Sequence, residues 1–168
     1  HKVFLGRSFN RMWFQGLEFN KINISPFSMS KYEVSNEQYQ KFVDDGGYNN
    51  PKYWDFPMNV GGITYDFNST TKKFVGKYGK SGPANWSYGK HPNGLENHPV
   101  TGISWFEARA YANYMELDIP NVFQWLYASG AGVSGIYDAK VLSNSNFNSN
   151  QMRNVFDQRG SNEEINNI

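Results

Sequence analysis

Apolar and polar positions recur with a regular period in only a few short windows of this chain. Three windows carry a helical period. Ser35-Asn36-Glu37-Gln38 is a capping box, in which Ser35 caps and Gln38 reaches back; Tyr39, Phe42 and Val43 follow at helical spacing until Gly46-Gly47. Ser104-Trp105-Phe106-Glu107 is a second box, with Trp105, Ala108, Ala112 and Met115 as the predicted apolar stripe and Ile119-Pro120 as the stop. Asn121 caps a third window with Val122, Trp125, Leu126 and Ala128 apolar. The expected helices therefore run near 35–45, 104–116 and 121–129.

Strand signals are shorter. Val3-Phe4-Leu5-Gly6 reads as a strand and turn, and residues 22–29 as a strand in which Pro26 suits an edge. Ile63-Thr64-Tyr65-Asp66-Phe67 alternates, Asn68-Ser69-Thr70 turns, and Lys72-Lys73-Phe74-Val75 returns, which predicts a hairpin. Residues 49–84 otherwise read as loop, and Gly82-Pro83 and His91-Pro92-Asn93-Gly94 are turn chemistry. Residues 143–168 are Asn-rich and read as loop or tail.

Composition sharpens this into a loop-rich α+β fold with aromatic packing. Aromatic residues make up 17% of the 168 positions, and Gly and Pro number 16 and 7. The length fits one domain, 1–168, and allows a core without staples. Net charge is +1 with both signs scattered, so no basic block faces a row of phosphates and nucleic acid is not an expected partner. No apolar run reaches the roughly 20 residues that span a bilayer, so this segment is not expected to insert into a membrane. The absence of cysteine excludes disulfides, thiolate zinc sites and cysteine nucleophiles within the chain.

Carboxylates offer no acid–base pair: Glu33, Glu37 and Glu107 stand at helix starts, where capping and the helix dipole account for them. Asp44-Asp45 precede Gly46-Gly47 without the pattern of oxygen ligands of a calcium loop. His91 and His98 each precede proline and sit in turns, without the spacing of a transition-metal pair. The expected role of His98 is a local hydrogen bond that fixes the turn into Val100.

Two stretches carry a family resemblance. Residues 27–39, with Tyr32-Glu33-Val34-Ser35-Asn36 at their centre, are similar to the strand-to-helix entry of formylglycine-generating-enzyme (sulfatase-modifying factor) domains. Residues 94–108, with His98-Pro99-Val100 and Ser104-Trp105, resemble their second helix entry. Ile119-Pro120-Asn121 through Gln124-Trp125 lie where the family has Leu-Pro-Thr and a Glu-Trp-Glu helix, and Val122, Gln124 and Leu126 replace acidic positions there. Asp44 to Tyr48, Gly82 to Trp86 and Ser145-Asn146-Phe147 resemble versions attached to bacterial multidomain proteins.

The resemblance implies an irregular variant of the C-type-lectin-like fold, with two to three helices and short antiparallel strands. The family's later motifs and its redox cysteine pair do not appear, which implies a truncated, cysteine-free version with no catalytic residue to carry over. A related branch uses non-heme iron held by histidines of a separate helical domain. The family also carries structural calcium, and Asn144, Asn146 and Asn148 are the candidate ligands, since amide and backbone oxygens suit a hard cation. On a lectin-like scaffold, loop aromatics stack on sugars or peptide side chains. Tyr53, Trp54, Trp86 and Tyr88, set among Gly, Pro and Asn, are the expected contact residues, whereas Trp105 and Trp125 are expected in the core. The expected function is a non-catalytic binding or accessory module of a larger bacterial protein, contacting a protein, peptide or glycan through residues 49–97. The alternative is part of an oxidoreductase domain whose chemistry lies outside the chain.

Overall fold

The computed structural model describes residues 2–3, 22–128 and 155. In chain order the elements are β1 (Lys2–Val3), β2 (Ile22–Asn23), α1 (Asn36–Asp44), β3 (Met58–Val60), β4 (Ile63–Tyr65), α2 (Phe67–Thr71), α3 (Trp105–Tyr114) and α4 (Val122–Ala128). Single 3-10 turns lie at Gly47–Asn49 and Pro51–Tyr53. The content is mixed α and β, and most of the connecting chain is irregular.

The residues divide into two compact units. In one, β1 and β2 pair antiparallel, with Lys2 opposite Asn23 and Val3 opposite Ile22. Ile24 is buried behind β2, and Phe27 meets Tyr127 of α4 edge to face at 6.0 Å. Asn121 starts α4 as expected: its Oδ1 accepts from the Phe123 and Gln124 amides at 3.0 Å, and Gln124 Oε1 accepts from Asn121 N at 2.9 Å. The strand expected over 22–29 is regular only at its first two residues.

The other unit, Tyr32–Ile119 with residues around Val155, holds the aromatic core. Both of its capping boxes form. Ser35 Oγ accepts from Gln38 N at 3.2 Å while Gln38 Oε1 accepts from Ser35 N at 3.0 Å. Ser104 Oγ accepts from Glu107 N at 3.3 Å while Glu107 Oε2 accepts from Ser104 N at 2.7 Å. Gly46, with φ of 74°, takes the left-handed conformation that ends α1. Helix α1 then delivers Tyr39 and Phe42 to the core, where they meet each other, Tyr48, Trp86 and Tyr111 at centroid distances of 5.1 to 6.0 Å. Edge and offset ring contacts of this kind are worth about 0.5–1.5 kcal/mol each beyond the area they bury.

Two sequence expectations are corrected here. The hairpin lies one strand earlier than expected: β3 pairs with β4, with Val60 opposite Ile63 and Gly61-Gly62 between them. Those glycines have φ of 59° and 80°, the backbone of a two-residue type I′ turn. The stretch 67–71 is a helix because Asp66 caps it, accepting from Ser69 N at 2.9 Å and from the Ser69 hydroxyl.

The stripe assigned to α3 is also rotated. Its buried residues are Glu107, Ala110, Tyr111 and Ala112, whereas Trp105 is 55% exposed and Met115 is exposed as well. Trp125, the other tryptophan expected in the core, is 50% exposed.

Candidate functional site

The loop tryptophans expected at the surface are the ones that fill the core. Trp54 is 5% exposed and Trp86 is 0% exposed. Trp54 lies parallel to Phe56 at 6.0 Å and to Phe74 at 5.6 Å, and its indole N–H donates to the Gly47 carbonyl at 2.9 Å. Trp86 meets Tyr39 edge to face at 6.0 Å. Long irregular loops cannot be tied down by regular hydrogen-bond ladders, so large rings from within them anchor them to the helices. Tyr53 is half-buried against Phe42 and Tyr114, at 6.2 and 5.5 Å. Of the four expected contact residues, only Tyr88 is freely exposed.

Tyr88 has a partner that sequence reasoning missed. Tyr78 and Tyr88 lie ring to ring at 4.3 Å with 7° between their planes, and they are 69% and 65% exposed. Both residues take the left-handed conformation, at φ of 67° and 55°. A non-glycine residue there costs on the order of 1 kcal/mol or more, and such positions concentrate where a chain carries function. The sequence signal was present in Lys77-Tyr78-Gly79 and Ser87-Tyr88-Gly89, two Tyr-Gly turns of the same form.

The core fixes this pair from below. Lys77 N donates to the Trp86 carbonyl at 2.7 Å, Tyr88 N donates to the Lys77 carbonyl at 3.4 Å, and Gly76 N donates to the Lys80 carbonyl at 2.9 Å. A Cβ on Gly76 would sit 2.6 Å from Trp86 O and 2.8 Å from Pro83 O, so only glycine allows the two turns to approach. Helix α1 clamps the far side with residues one turn apart. Gln40 Nε2 donates to the Gly89 carbonyl at 2.9 Å, His91 N donates to Gln40 Oε1 at 3.2 Å, and Lys90 Nζ donates to both Asp44 oxygens at 2.8 and 3.0 Å. The Lys90 hydrogen bond, helped by Gln40, holds the Asp44 carboxyl below its ordinary value. Both groups are more than half exposed, so the pair contributes about 1 kcal/mol at most.

A second polar cluster lies inside the core. Tyr39 Oη is 3.1 Å from Tyr48 Oη, and Tyr48 donates to Glu107 Oε1 at 2.6 Å. Burial pushes both phenols far above their ordinary range. With its other oxygen in the α3 capping box, Glu107 is a structural tie between α3 and the turn at Tyr48, in line with the capping role read from the sequence.

The histidines sit apart in function. His91 Nδ1 is 3.0 Å from the Pro92 carbonyl, and its ring meets Trp86 at 5.8 Å. His98 hydrogen-bonds locally through its backbone, its N–H donating to the Leu95 carbonyl at 3.0 Å and its carbonyl accepting from Asn36 N at 2.9 Å, while its ring Nδ1 is buried without a partner. Among the described residues no three His, Asp or Glu side chains group closely enough to hold a metal. Asn144, Asn146 and Asn148 lie outside the described residues. No helix among the described residues is long and apolar enough to cross a membrane.

The geometry therefore defines a loop-rich α+β fold in which the aromatic core of one unit carries a paired-tyrosine surface. A family profile described as "Sulfatase-modifying factor enzyme 1-like domain" matches residues 8–167, and the chain belongs to that family. It is 28% identical to the formylglycine-generating enzyme of Bos taurus over 122 residues, covering 67% of this chain and 33% of that protein. It is 24% identical to the hercynine oxygenase of Mycobacterium tuberculosis over 112 residues, covering 62% of this chain and 23% of that protein. It is 28% identical to the uncharacterized protein YfmG of Bacillus subtilis over 127 residues, covering 71% of this chain and 20% of that protein. The match thus spans a third or less of the length of these curated relatives. No solved structure matches the chain.

Proposed function

We propose that this chain is a non-catalytic binding or accessory module with a C-type-lectin-like architecture, part of a larger bacterial protein. It meets a protein, peptide or glycan through the loop surface of residues 49–97, with Tyr78 and Tyr88 at the point of contact. The observation that carries this reading is the parallel pair itself: two large rings, both mostly in water, held at left-handed backbone positions by a rigid aromatic core. Exposed aromatic area brings folding no transfer energy, and single exposed rings are ordinary, but rings brought together mark contact sites. The chain contains no cysteine, so a cysteine-based oxidation has no nucleophile within it. Glycan and peptide arrays probed with the wild type and with Tyr78→Ala/Tyr88→Ala test this reading. Signals that vanish in the double variant support it, and signals that survive unchanged would remove the tyrosine pair from the contact.

The relatives' names favour a second reading, in which this chain is one part of a sulfatase-modifying-factor-type oxidoreductase whose reacting groups lie elsewhere in the polypeptide. Oxygen consumption by the full polypeptide in the presence of a cysteine-containing peptide would distinguish it from the first.

A further inference from the structure

We infer that the Tyr78–Tyr88 pair, with Lys77 and Lys80 in the same turn, receives an acidic polysaccharide. This rests on the reading that the pair is a contact surface and adds the chemical class of what it contacts.

Three observations lead there. The first is the stacking geometry. At 4.3 Å and 7° each ring covers one face of the other, so each offers a single outer face to a ligand. A flat apolar face suits the C–H face of a pyranose ring, and the two outer faces of the stack look in opposite directions, so each receives its own sugar ring.

The second is charge. Between Asp66 and Glu96 the chain carries Lys72, Lys73, Lys77, Lys80 and Lys90 and no acidic residue. Lys90 is held by Asp44. Lys77 and Lys80 are exposed and form no ion pair among the described residues. The Lys77 carbonyl accepts from Tyr88 N and its neighbour is Tyr78, so its backbone joins the two tyrosine positions. An ammonium on a flexible stem is a mobile point charge with three donors, suited to a carboxylate or sulfate whose position varies from one sugar to the next.

The third separates a saccharide from a peptide. A peptide commonly docks by adding its main chain to an open strand edge. Here the backbone is closed on itself: Gly76 N, Lys77 N and Tyr88 N donate to Lys80, Trp86 and Lys77 carbonyls, and Ser87 and Lys90 exchange both bonds at 3.1 and 3.0 Å. Ring faces, phenol hydroxyls and lysine ammoniums are the side-chain groups these turns offer a ligand.

Affinity electrophoresis through gels holding polygalacturonate, neutral dextran or polyglutamate tests the inference on the intact chain. Polygalacturonate is expected to retard the wild type with an affinity roughly tenfold or more above that for dextran or polyglutamate, and raised salt should weaken it. Both Tyr78→Ala/Tyr88→Ala and Lys77→Gln/Lys80→Gln should lose roughly tenfold, with melting temperatures near that of the wild type. Three results would overturn it: no retardation by polygalacturonate, equal retardation of the wild type and the tyrosine variant, or equal retention on polyglutamate. Neutral or peptide ligands lost in the tyrosine variant but kept by Lys77→Gln/Lys80→Gln would leave the contact surface standing and refute only its acidic class.

Discussion

Tyr48 donates its phenol proton to the buried Glu107 carboxylate at 2.6 Å, across a sequence separation of 59 residues. The bond joins the turn after α1 to the first turn of α3, and it satisfies a carboxylate that the core would otherwise exclude. Tyr48→Phe keeps the ring packed against Phe42 and Trp54 but leaves one Glu107 oxygen without this donor. The expected loss is about 1–3 kcal/mol of folding free energy. Urea denaturation measures it, and a change within a few tenths of a kcal/mol would show that the bond contributes nothing to stability.

Gly76 is where the two tyrosine turns cross. Its hydrogen points at carbonyls of Trp86 and Pro83, which are backbone atoms fixed by the core. Gly76→Ala should therefore destabilise by roughly 2 kcal/mol or more and loosen both turns. The same substitution at Gly61 meets no atom within 4 Å, and its left-handed φ of 59° should cost only about 1 kcal/mol. Thermal melts of the two variants side by side give the ordering, and an equal or smaller loss at Gly76 would contradict the crossing geometry.

Alkaline pH should weaken the fold through its phenols. Tyr114 donates to Asp45 at 2.6 Å, and that hydrogen bond raises its pKa from the ordinary 10.0 to about 12. Tyr39 and Tyr48 are raised further, mainly by burial. In the unfolded chain these groups ionise near pH 10, while the fold holds their protons. Their contribution is thus complete below about pH 10 and is lost as pH rises through 12 and beyond. Phenolate absorbance and circular dichroism recorded together should show a late set of tyrosines ionising as the fold opens. Tyr114→Phe should remove the Tyr114 share of this dependence, which lies between pH 10 and 12, and leave the share of Tyr39 and Tyr48. Ionisation of every tyrosine before any change in circular dichroism would contradict the account.

The helices were legible because their start signals are local. Ser35 with Gln38, Ser104 with Glu107, and Asn121 each state a helix start within four residues, and all three caps form. The resemblance rested on the same segments and led to the correct family. Which face of α3 is buried was not legible. Every side of Trp105–Tyr114 carries an apolar or aromatic residue, and the true core stripe includes a glutamate, which a hydrophobic pattern marks as solvent. The tryptophans failed for a related reason. Surrounding Gly, Pro and Asn mark an irregular backbone, but they say nothing about where a ring points, and irregular loops need anchors more than helices do. Tyr78 escaped notice because its role depends on Tyr88 lying beside it, a relationship made by the Gly76 crossing and not by spacing.

The central claim is that Trp86 holds these loops while Tyr78 and Tyr88 face a partner. Glycine is the residue best suited to φ of 67° and 55°, so in Tyr78→Gly/Tyr88→Gly relief of backbone strain offsets the loss of the one stacked ring contact. The decisive measurement pairs the melting temperature of this variant with its retention on the array ligands of the wild type. The account predicts a melting temperature within a few degrees of that of the wild type, roughly what 1 kcal/mol produces in a domain of this size, together with loss of binding. A fall of several degrees with binding intact would make the tyrosines packing residues and contradict the account.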